Sequence, residues 1–190
     1  MHGSWMNRVW PCVAVSVFLA GCGGSHDLMP LEVGRSTSYV VKFGFDSRVE
    51  PVKISGRSAV AGVAGYELTG PLGVSRMAWK DGVLYADQAV NASFEPSLPI
   101  LAEDGKPRIW HGRIVSQGEV HAATANLTLQ DASVEIGGRK LDTKLSILKV
   151  QMRQGSIELD SWYAPGIGLV QQEQRTNDIR VVQLQMVTAP

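Results

Sequence analysis

Apolar and polar residues alternate with a period of two along most of the chain beyond residue 35, and almost no segment has the 3.6-residue period of a helix. Such alternation is typical of half-buried β-strands, whose successive side chains point to opposite faces of the sheet. The sequence therefore predicts an all-β fold with little or no helix. Besides the hairpins described next, strands are predicted over 39–45, 49–54, 66–69, 109–115, 120–129, 167–172 and 179–187.

A first hairpin is predicted at Asp81-Gly82, because both residue types tolerate the positive φ of a tight two-residue turn. This turn would bring apolar residues together on one face, pairing Trp79 with Leu84 and Met77 with Ala86. On the other face Arg76 would lie opposite Asp87. The apolar pairs and the charge pair thus favour the same register.

A second hairpin is predicted at Gly137-Gly138 and a third at Gln154-Gly155. The second turn would place Val134 opposite Leu141, Glu135 opposite Lys140 and Asp131 opposite Lys144. The third would place Met152 opposite Ile157, Val150 opposite Leu159 and Lys149 opposite Asp160. Between the two turns the alternation slips by one residue after Ile147, which predicts a bulge and a bend.

Residues 95–107 contain three prolines, at positions 96, 99 and 107, and a proline cannot donate to a central ladder. We interpret this stretch as a surface loop or a joint between two half-sheets. A single antiparallel meander of this length is expected to curl, closing into a barrel, forming a half-barrel or an open barrel, or folding over into a sandwich.

The N-terminal residues follow a different pattern. Arg8 precedes a short apolar run over 9–20, which is shorter than the roughly 20 residues of a membrane span. A basic residue, a short apolar core and small residues in this order are typical of a secretory signal. The run ends in Leu19-Ala20-Gly21-Cys22, which resembles the lipobox of bacterial lipoproteins. That resemblance implies cleavage between Gly21 and Cys22 and lipidation of the Cys22 thiol.

We therefore expect a signal peptide over 1–21, a flexible tether over 22–35 and an all-β domain over 36–190. The alternative is that Cys22 only stands beside an ordinary cleavage site or a membrane anchor. Cys12 lies inside the apolar run and would be removed with the signal. No disulfide could then form within the mature chain.

Charge and composition exclude further classes. The 190 residues include 18 basic and 18 acidic side chains, which gives no electrostatic signature of nucleic-acid binding. Two cysteines cannot build a disulfide-rich scaffold. We expect a protein that does not bind nucleic acid and is stabilised by its sheet and core.

The C-terminal part carries a second resemblance. The stretch from Ser161 to Val170, SWYAPGIGLV, resembles the ending of a group of bacterial envelope proteins of unknown function that includes the TapB-like family. The resemblance extends over roughly residues 130–175 and implies a secreted or lipid-anchored protein, with no catalytic residue to transfer. The group is similar to the curved sheets of the LolA and LolB lipoprotein carriers, which implies a sheet that holds acyl chains.

Candidate chemistry is sparse. The sequence contains no metalloprotease, dithiol, nucleophile-elbow or phosphate-loop motif. His111 and His121 fall on neighbouring predicted strands, but a metal site needs a third ligand. Trp79, Trp110 and Trp162 are candidates for lining a ligand cup, although each taken singly is a typical core anchor. We expect no catalytic residue, no metal and no cofactor.

Three functions follow from these observations. The first is a non-enzymatic lipoprotein, anchored through Cys22, that binds an acyl or other hydrophobic ligand or an envelope partner. Gly23 rather than Asp after the cysteine resembles the default for export to the periplasmic face of the outer membrane. The second is a structural or assembly module that pairs through an exposed strand edge. The third is a hydrolase that uses His111 or His121.

Overall fold

The computed structural model of the protein describes residues 26–90 and 92–189. These residues form twelve β-strands, and none of them belongs to a helix long and apolar enough to cross a membrane. The strands in chain order are β1 (Ser36–Phe43), β2 (Asp46–Val60), β3 (Val63–Gly70), β4 (Gly73–Lys80), β5 (Val83–Ala89), β6 (Ala92–Ala102), β7 (Arg108–Ser116), β8 (Glu119–Ile136), β9 (Arg139–Met152), β10 (Gly155–Ala164), β11 (Gly168–Thr176) and β12 (Ile179–Met186).

Each strand pairs antiparallel with the next one along the chain, and β12 pairs with β1, so the sheet is a closed barrel. The closing pair sets Val41 opposite Leu184, and the Val187 amide donates to the Ser38 carbonyl oxygen at 3.0 Å. The predicted all-β antiparallel meander is confirmed, and its curvature carries through to full closure.

The two ends of the barrel contain different turns and strand ends, and we call them proximal and distal. The proximal end contains the start of β1, the end of β12 and the turns at Asp81-Gly82 and Gly137-Gly138. At the distal end lie the turns at Gly44-Phe45 and Gln117-Gly118. Both termini of the domain are therefore at the proximal end.

The hairpin at Asp81-Gly82 forms as predicted, with φ of 51° and 73° at the two turn residues. The apolar pairs Trp79–Leu84 and Met77–Ala86 are present. The register then shifts, so Arg76 lies opposite Gln88 instead of Asp87. Asp87 accepts a hydrogen bond from the Ser97 hydroxyl instead, because a bulge in β5 turns its carboxylate toward β6.

The hairpin at Gly137-Gly138 has the predicted register, whereas the third turn lies one residue earlier than predicted. Arg153 and Gln154 form it, so Met152 pairs with Gly155 and Lys149 with Glu158. Gly155 is not a turn residue; it allows another side chain to approach the backbone closely. The Asn177 side chain packs against it, and its Oδ1 accepts from the Ser156 amide at 2.9 Å.

Most buried apolar side chains of the described residues fall into three clusters. The Leu127 cluster includes Trp110, Leu148 and Val150. The Ile136 cluster includes Tyr39 and Leu184. The Leu84 cluster includes Leu31, Ile54, Leu68 and Tyr163. The core is therefore divided among separate regions of the barrel wall.

This division explains the slip in alternation along β9, which is not a bulge. β8 and β9 pair without a register shift from Ala123–Met152 to Ile136–Arg139. The pair Leu127–Leu148 is buried in the Leu127 cluster, and the pair Val134–Leu141 packs against the Ile136 cluster. Because 127 and 134 are an odd number of residues apart, the two pairs lie on opposite faces of one hairpin. The β8–β9 hairpin therefore keeps one register along its length, while its buried side changes from one face to the other.

The segment predicted as a loop or joint over 95–107 is mostly strand. β6 continues to Ala102, and the loop is confined to 103–107. β6 pairs with β7 only from Ala92 to Glu95, and beyond the cis Glu95-Pro96 bond the two strands separate. Pro96 is accommodated because no ladder forms on that edge, where the Trp110 indole donates to its carbonyl oxygen at 3.0 Å.

Candidate functional site

The N-terminal segment, residues 26–35, packs across the proximal end of the barrel. Leu31 is 9% exposed and lies in the Leu84 cluster. The Gly34 amide donates to the Ile54 carbonyl oxygen, and the Ile54 amide donates to that of Arg35, both at 2.9 Å. The flexible tether predicted over 22–35 is therefore not seen from His26 onward, because apolar side chains of the segment are buried against the barrel.

Trp79 holds the start of this segment. Its indole Nε1 donates to the Met29 carbonyl oxygen at 2.9 Å. The indole also stacks on the imidazole of His26, with ring centroids 4.3 Å apart and planes 13° apart. His26 Nδ1 lies 3.1 Å from Glu103 Oε1 in the loop after β6. The first described residue is thus fixed between β4 and that loop.

The turn between β10 and β11 receives the same segment from the other side. The Gly166 amide donates to the Asp27 carbonyl oxygen at 2.8 Å, and the Arg35 guanidinium donates to the Ile167 carbonyl oxygen at 2.7 Å. The Tyr39 hydroxyl donates to the Leu169 carbonyl oxygen at 2.8 Å. The turn between β10 and β11, which we call the clasp, therefore holds the N-terminal segment at Asp27 and Arg35, and its end is tied to β1 through Tyr39.

Two buried tyrosines lie beside this clasp. Burial raises the pKa of the Tyr39 hydroxyl, and it raises the pKa of Tyr163 to about 12. Both hydroxyls therefore stay protonated at physiological pH. Tyr39 remains a hydrogen-bond donor to the clasp.

Space for a small ligand near the segment is limited. A cavity of about 30 Å³ lies beneath it, on the order of one or two water molecules. Its lining residues are Met29, Pro30, Arg35, Thr37, Tyr39, Val52, Ile54, Leu68, Ile167 and Leu169. A second, open groove of about 260 Å³ is mostly polar and is lined by Glu103, Asp104, Gly105, Leu129, Gln130, Asp131 and Lys144.

The three tryptophans proposed for a ligand cup lie in three different clusters. Trp79 packs against the Leu84 cluster, Trp110 is buried in the Leu127 cluster, and Trp162 packs against the Ile136 cluster. None of them lines the 30 Å³ cavity or the polar groove. Gly21 and Cys22, the predicted cleavage and lipidation residues, lie outside the described residues.

The two histidines do not face each other either. His111 pairs with Thr124, whereas His121 pairs with Ile114 and contacts the Gln154 amide through its ring. Within 26–90 and 92–189 there is no group of three or more His, Cys, Asp or Glu side chains arranged to hold a metal.

A polar network on β10 and β11 was not predicted from the sequence. The Arg175 guanidinium donates to Asp160 at 2.6 Å and to Glu158 and Glu173 at 3.0 Å each. The Lys149 ammonium, 2.9 Å from Glu158, holds the pKa of that carboxyl below its ordinary value. Asp160 Oδ1 is buried without a hydrogen-bond partner in this part of the chain. Because cations compensate the acids, the network has a structural role in the barrel wall. The sequence could have indicated it through the pair Lys149–Glu158, but that pair is visible only with the true register of the third hairpin.

Comparison with solved structures shows the class of fold. The chain is similar to a crystal structure described as a "putative lipoprotein" from Parabacteroides distasonis, with 11% identity and a TM-score of 0.52, over 85% of this chain and 97% of that one. At this identity the likeness concerns the fold.

Two more solved structures are similar to a lesser degree. One is described as a "putative exported protein with YmcC-like fold" from Bacteroides fragilis, at 11% identity and a TM-score of 0.49, over 85% of this chain and 97% of that one. The other is the hypothetical lipoprotein YmcC from Escherichia coli, at 10% identity and 0.43, over 87% of both chains. No family model matches the sequence, and no curated protein matches it either.

Proposed function

We propose that the protein is a non-enzymatic lipoprotein of the bacterial envelope, anchored through Cys22 at the periplasmic face of the outer membrane. Its barrel would serve as a binding or assembly module for an envelope partner. The lipobox-like Leu19-Ala20-Gly21-Cys22 and Gly23 support the anchor and its membrane. The descriptions of the similar structures as lipoproteins or exported proteins support an envelope location.

The observation that carries the proposal is the clamped N-terminal segment. His26 is fixed on Trp79 and Glu103, and it follows Cys22 by only four residues. Four residues span at most roughly 14 Å when fully extended. A lipidated Cys22 would therefore keep the proximal end close to the bilayer. The hydrogen bonds of the segment would transmit that restraint to the whole barrel.

The partner is proposed as a protein in preference to an acyl ligand. The segment itself fills the apolar region at the proximal end, and the cavity that remains there is about 30 Å³. Ligand pockets that enclose a drug-sized molecule measure roughly 300 to 1,000 Å³ and are mostly apolar.

Metabolic labelling with a palmitate analogue tests the anchor. The wild type is expected to be labelled and to fractionate with the outer membrane, and Cys22→Ala is expected to lose both the label and the membrane association. Cys12→Ala is the matched control, because Cys12 would leave with the signal, and it should be labelled like the wild type. A labelled Cys22→Ala protein, or a loss of label in Cys12→Ala, would contradict the proposal.

A further inference from the structure

Strand β8 extends beyond its neighbour on one side. β7 pairs with β8 only as far as the pair Arg108–Leu127, whereas β9 continues alongside β8 to Ile136. Residues 128–136 of β8 therefore have a strand on the β9 side alone. Backbone groups on the other side of this stretch have no strand partner in the part of the chain that the structure describes.

The turn at Gly137-Gly138 determines which backbone groups of this stretch are free. A two-residue turn closes on a hydrogen-bonded pair, here Ile136–Arg139, so the even-numbered residues of β8 face β9. Successive residues direct their backbone groups to opposite sides, and odd-numbered residues therefore face the side that β7 leaves open. The free donors and acceptors are those of Leu129, Asp131 and Ser133, and we call this stretch the β8 edge.

An open groove borders the β8 edge. The polar groove described above is lined by residues 129–131 of β8 and by residues 103–105 of the loop after β6. Because side chains of consecutive strand residues alternate between the two faces of a sheet, a groove that touches all three runs along the strand edge. The Gln185 side-chain amide donates to the Glu135 carbonyl oxygen at 3.4 Å, so an odd-numbered carbonyl of this strand already accepts from outside the hairpin. Free backbone groups beside an open groove can accept an extended peptide as an added strand.

The acidic side chains of β8 specify what the added strand carries. Asp131 lies between Lys144 of β9 and the open side, and Glu135 lies in the same way between Lys140 and the open side. A strand added at this edge would therefore lie next to the two acids, with the lysines one strand further away. Opposite charges directly across a ladder stabilise the pairing, and like charges oppose it. We expect the added strand to carry basic residues at the spacing of Asp131 and Glu135.

Neither a second copy nor the rest of this chain has that pattern. In two copies paired edge to edge, the acids of both β8 strands would lie in one short ladder, which like charges oppose. Of the residues that the structure does not describe, 22–25, Asn91 and Pro190 would remain after cleavage, and none of them has a basic side chain. The β8 edge therefore fits a segment of another protein.

We propose that an extended, basic segment of a second envelope protein adds to the β8 edge as a further strand. Its backbone bonds to Leu129, Asp131 and Ser133, and its basic side chains lie opposite Asp131 and Glu135. This inference rests on the proposed function for the location of the barrel, and it adds the surface and the chemistry of the partner. Since β8 ends at the Gly137-Gly138 turn of the proximal end, the partner would bind close to the anchoring membrane.

Proline substitution separates binding from folding at this edge. Ser133→Pro removes an amide that has no strand partner, so the β8–β9 ladder keeps its hydrogen bonds. The barrel already carries a proline in such a place, because Pro51 belongs to the part of β2 that β3 does not cover. Ser133→Ala is the matched control, since it removes the same hydroxyl and keeps the amide.

Photocrosslinking in cells, with the full-length protein, finds the partner. Benzoylphenylalanine replaces either Gln130, which lines the groove, or Thr124, which is exposed on the same face of β8 where β7 covers the edge. We expect a protein adduct at position 130 that is absent at position 124. Mass spectrometry identifies the partner and its crosslinked peptide, which should contain the predicted basic residues, and the partner is then purified for binding measurements.

Binding of that partner to the purified full-length protein should fall about tenfold in Ser133→Pro, which loses one backbone hydrogen bond, and stay unchanged in Ser133→Ala. The double variant Asp131→Asn, Glu135→Gln should weaken binding as well, because it removes the charges that face the added strand. Urea unfolding shows whether Ser133→Pro is folded. If it is not, the double variant decides, since its backbone is unaltered.

Several results would overturn the inference. They are no adduct at position 130, an equal adduct at position 124, an adduct with this chain, a second copy or phospholipid alone, and unchanged binding of the double variant or of a folded Ser133→Pro. Palmitate labelling of the same cells separates the two proposals. A labelled protein without an adduct overturns the β8 edge alone, whereas an unlabelled protein overturns the anchor.

Discussion

At the scale of single residues, Trp110 is a buried core residue, which is the alternative that the sequence offers beside a ligand cup. It is buried where β6 separates from β7, and its indole caps the free Pro96 carbonyl oxygen. Its ring also lies over Gly112, where a side chain has no room. The sequence alone shows only that a tryptophan is present. The pairing of β6 and β7 is needed to show that its ring lies where the two strands separate.

Gly112→Ala is therefore expected to destabilise the protein. The added Cβ would lie 2.5 Å from the Glu95 carbonyl oxygen and closer still to the Trp110 ring, so the backbone or the indole must shift. Overpacking of this kind costs about 1–3 kcal/mol of unfolding free energy, measurable by urea denaturation. Gly56→Ala, in a strand with no atom within 4 Å of the new Cβ, is the control and should differ little from the wild type. Equal stabilities of the two variants would contradict this interpretation.

At the scale of elements, local signals predict tight turns, whereas contacts between distant parts of the chain leave no local pattern. The turns at Asp81-Gly82 and Gly137-Gly138 could be predicted because glycine and cross-strand pairing are local properties. The third turn was misplaced because Gly155 is set by contact with Asn177, which comes from a later hairpin. The slip of alternation in β9 was located from the sequence, but periodicity alone does not say on which side of a sheet the core lies.

The N-terminal segment shows the same limit. Gly23, Gly24 and Ser25 have the composition of a flexible linker, and that expectation was extended to residue 35. Leu28, Met29 and Leu31 were the overlooked signal, because three apolar residues within four positions favour burial. Their binding surface is built from β2, β4 and the β10–β11 turn, which no local pattern connects to them.

Leu31→Ala tests how tightly the segment is docked. Removing a buried leucine side chain is expected to lower the unfolding free energy by about 2–3 kcal/mol, because the cavity opens inside the Leu84 cluster. Val33→Ala in the same segment removes a side chain that is 53% exposed and should cost far less. Thermal or urea unfolding of the two variants provides the comparison. A Leu31→Ala protein as stable as Val33→Ala would show that the segment contributes little to the fold.

At the scale of the whole molecule, the sequence predicts an antiparallel meander because consecutive strands are neighbours throughout. It does not decide between a closed barrel, a half-barrel and a sandwich, because closure depends on β1 meeting β12 across the full length of the domain. Nor does it predict the separation of β6 from β7, which leaves β7 paired only with β8 between Arg108 and Gly112. The barrel is thus closed in topology and open along one short seam.

Amide hydrogen exchange should reveal both features. The amides of Val40 and Gln185 are expected to be protected as well as those of interior strands, because they point across the β1–β12 pair, as the Val187 amide does toward Ser38. Ile109 and His111, whose amides point away from β8, should exchange much faster than Arg113 and Val115, which lie next to β6. Uniform protection along β7 would mean that the seam is closed in solution. Rapid exchange at Val40 and Gln185 would mean that the β1–β12 contact is open.

Because the first and last strands of the barrel pair with each other, closure also implies an order of folding. Each hairpin can form as soon as its second strand is available, since neighbouring strands are consecutive in sequence. The β1–β12 pair must wait until the last strand has emerged, and it bears the entropy of joining distant parts of the chain. Until then β1 presents an unpaired edge, which is prone to aggregate. A chain truncated before Ile179 would lack β12 and would keep that edge unpaired.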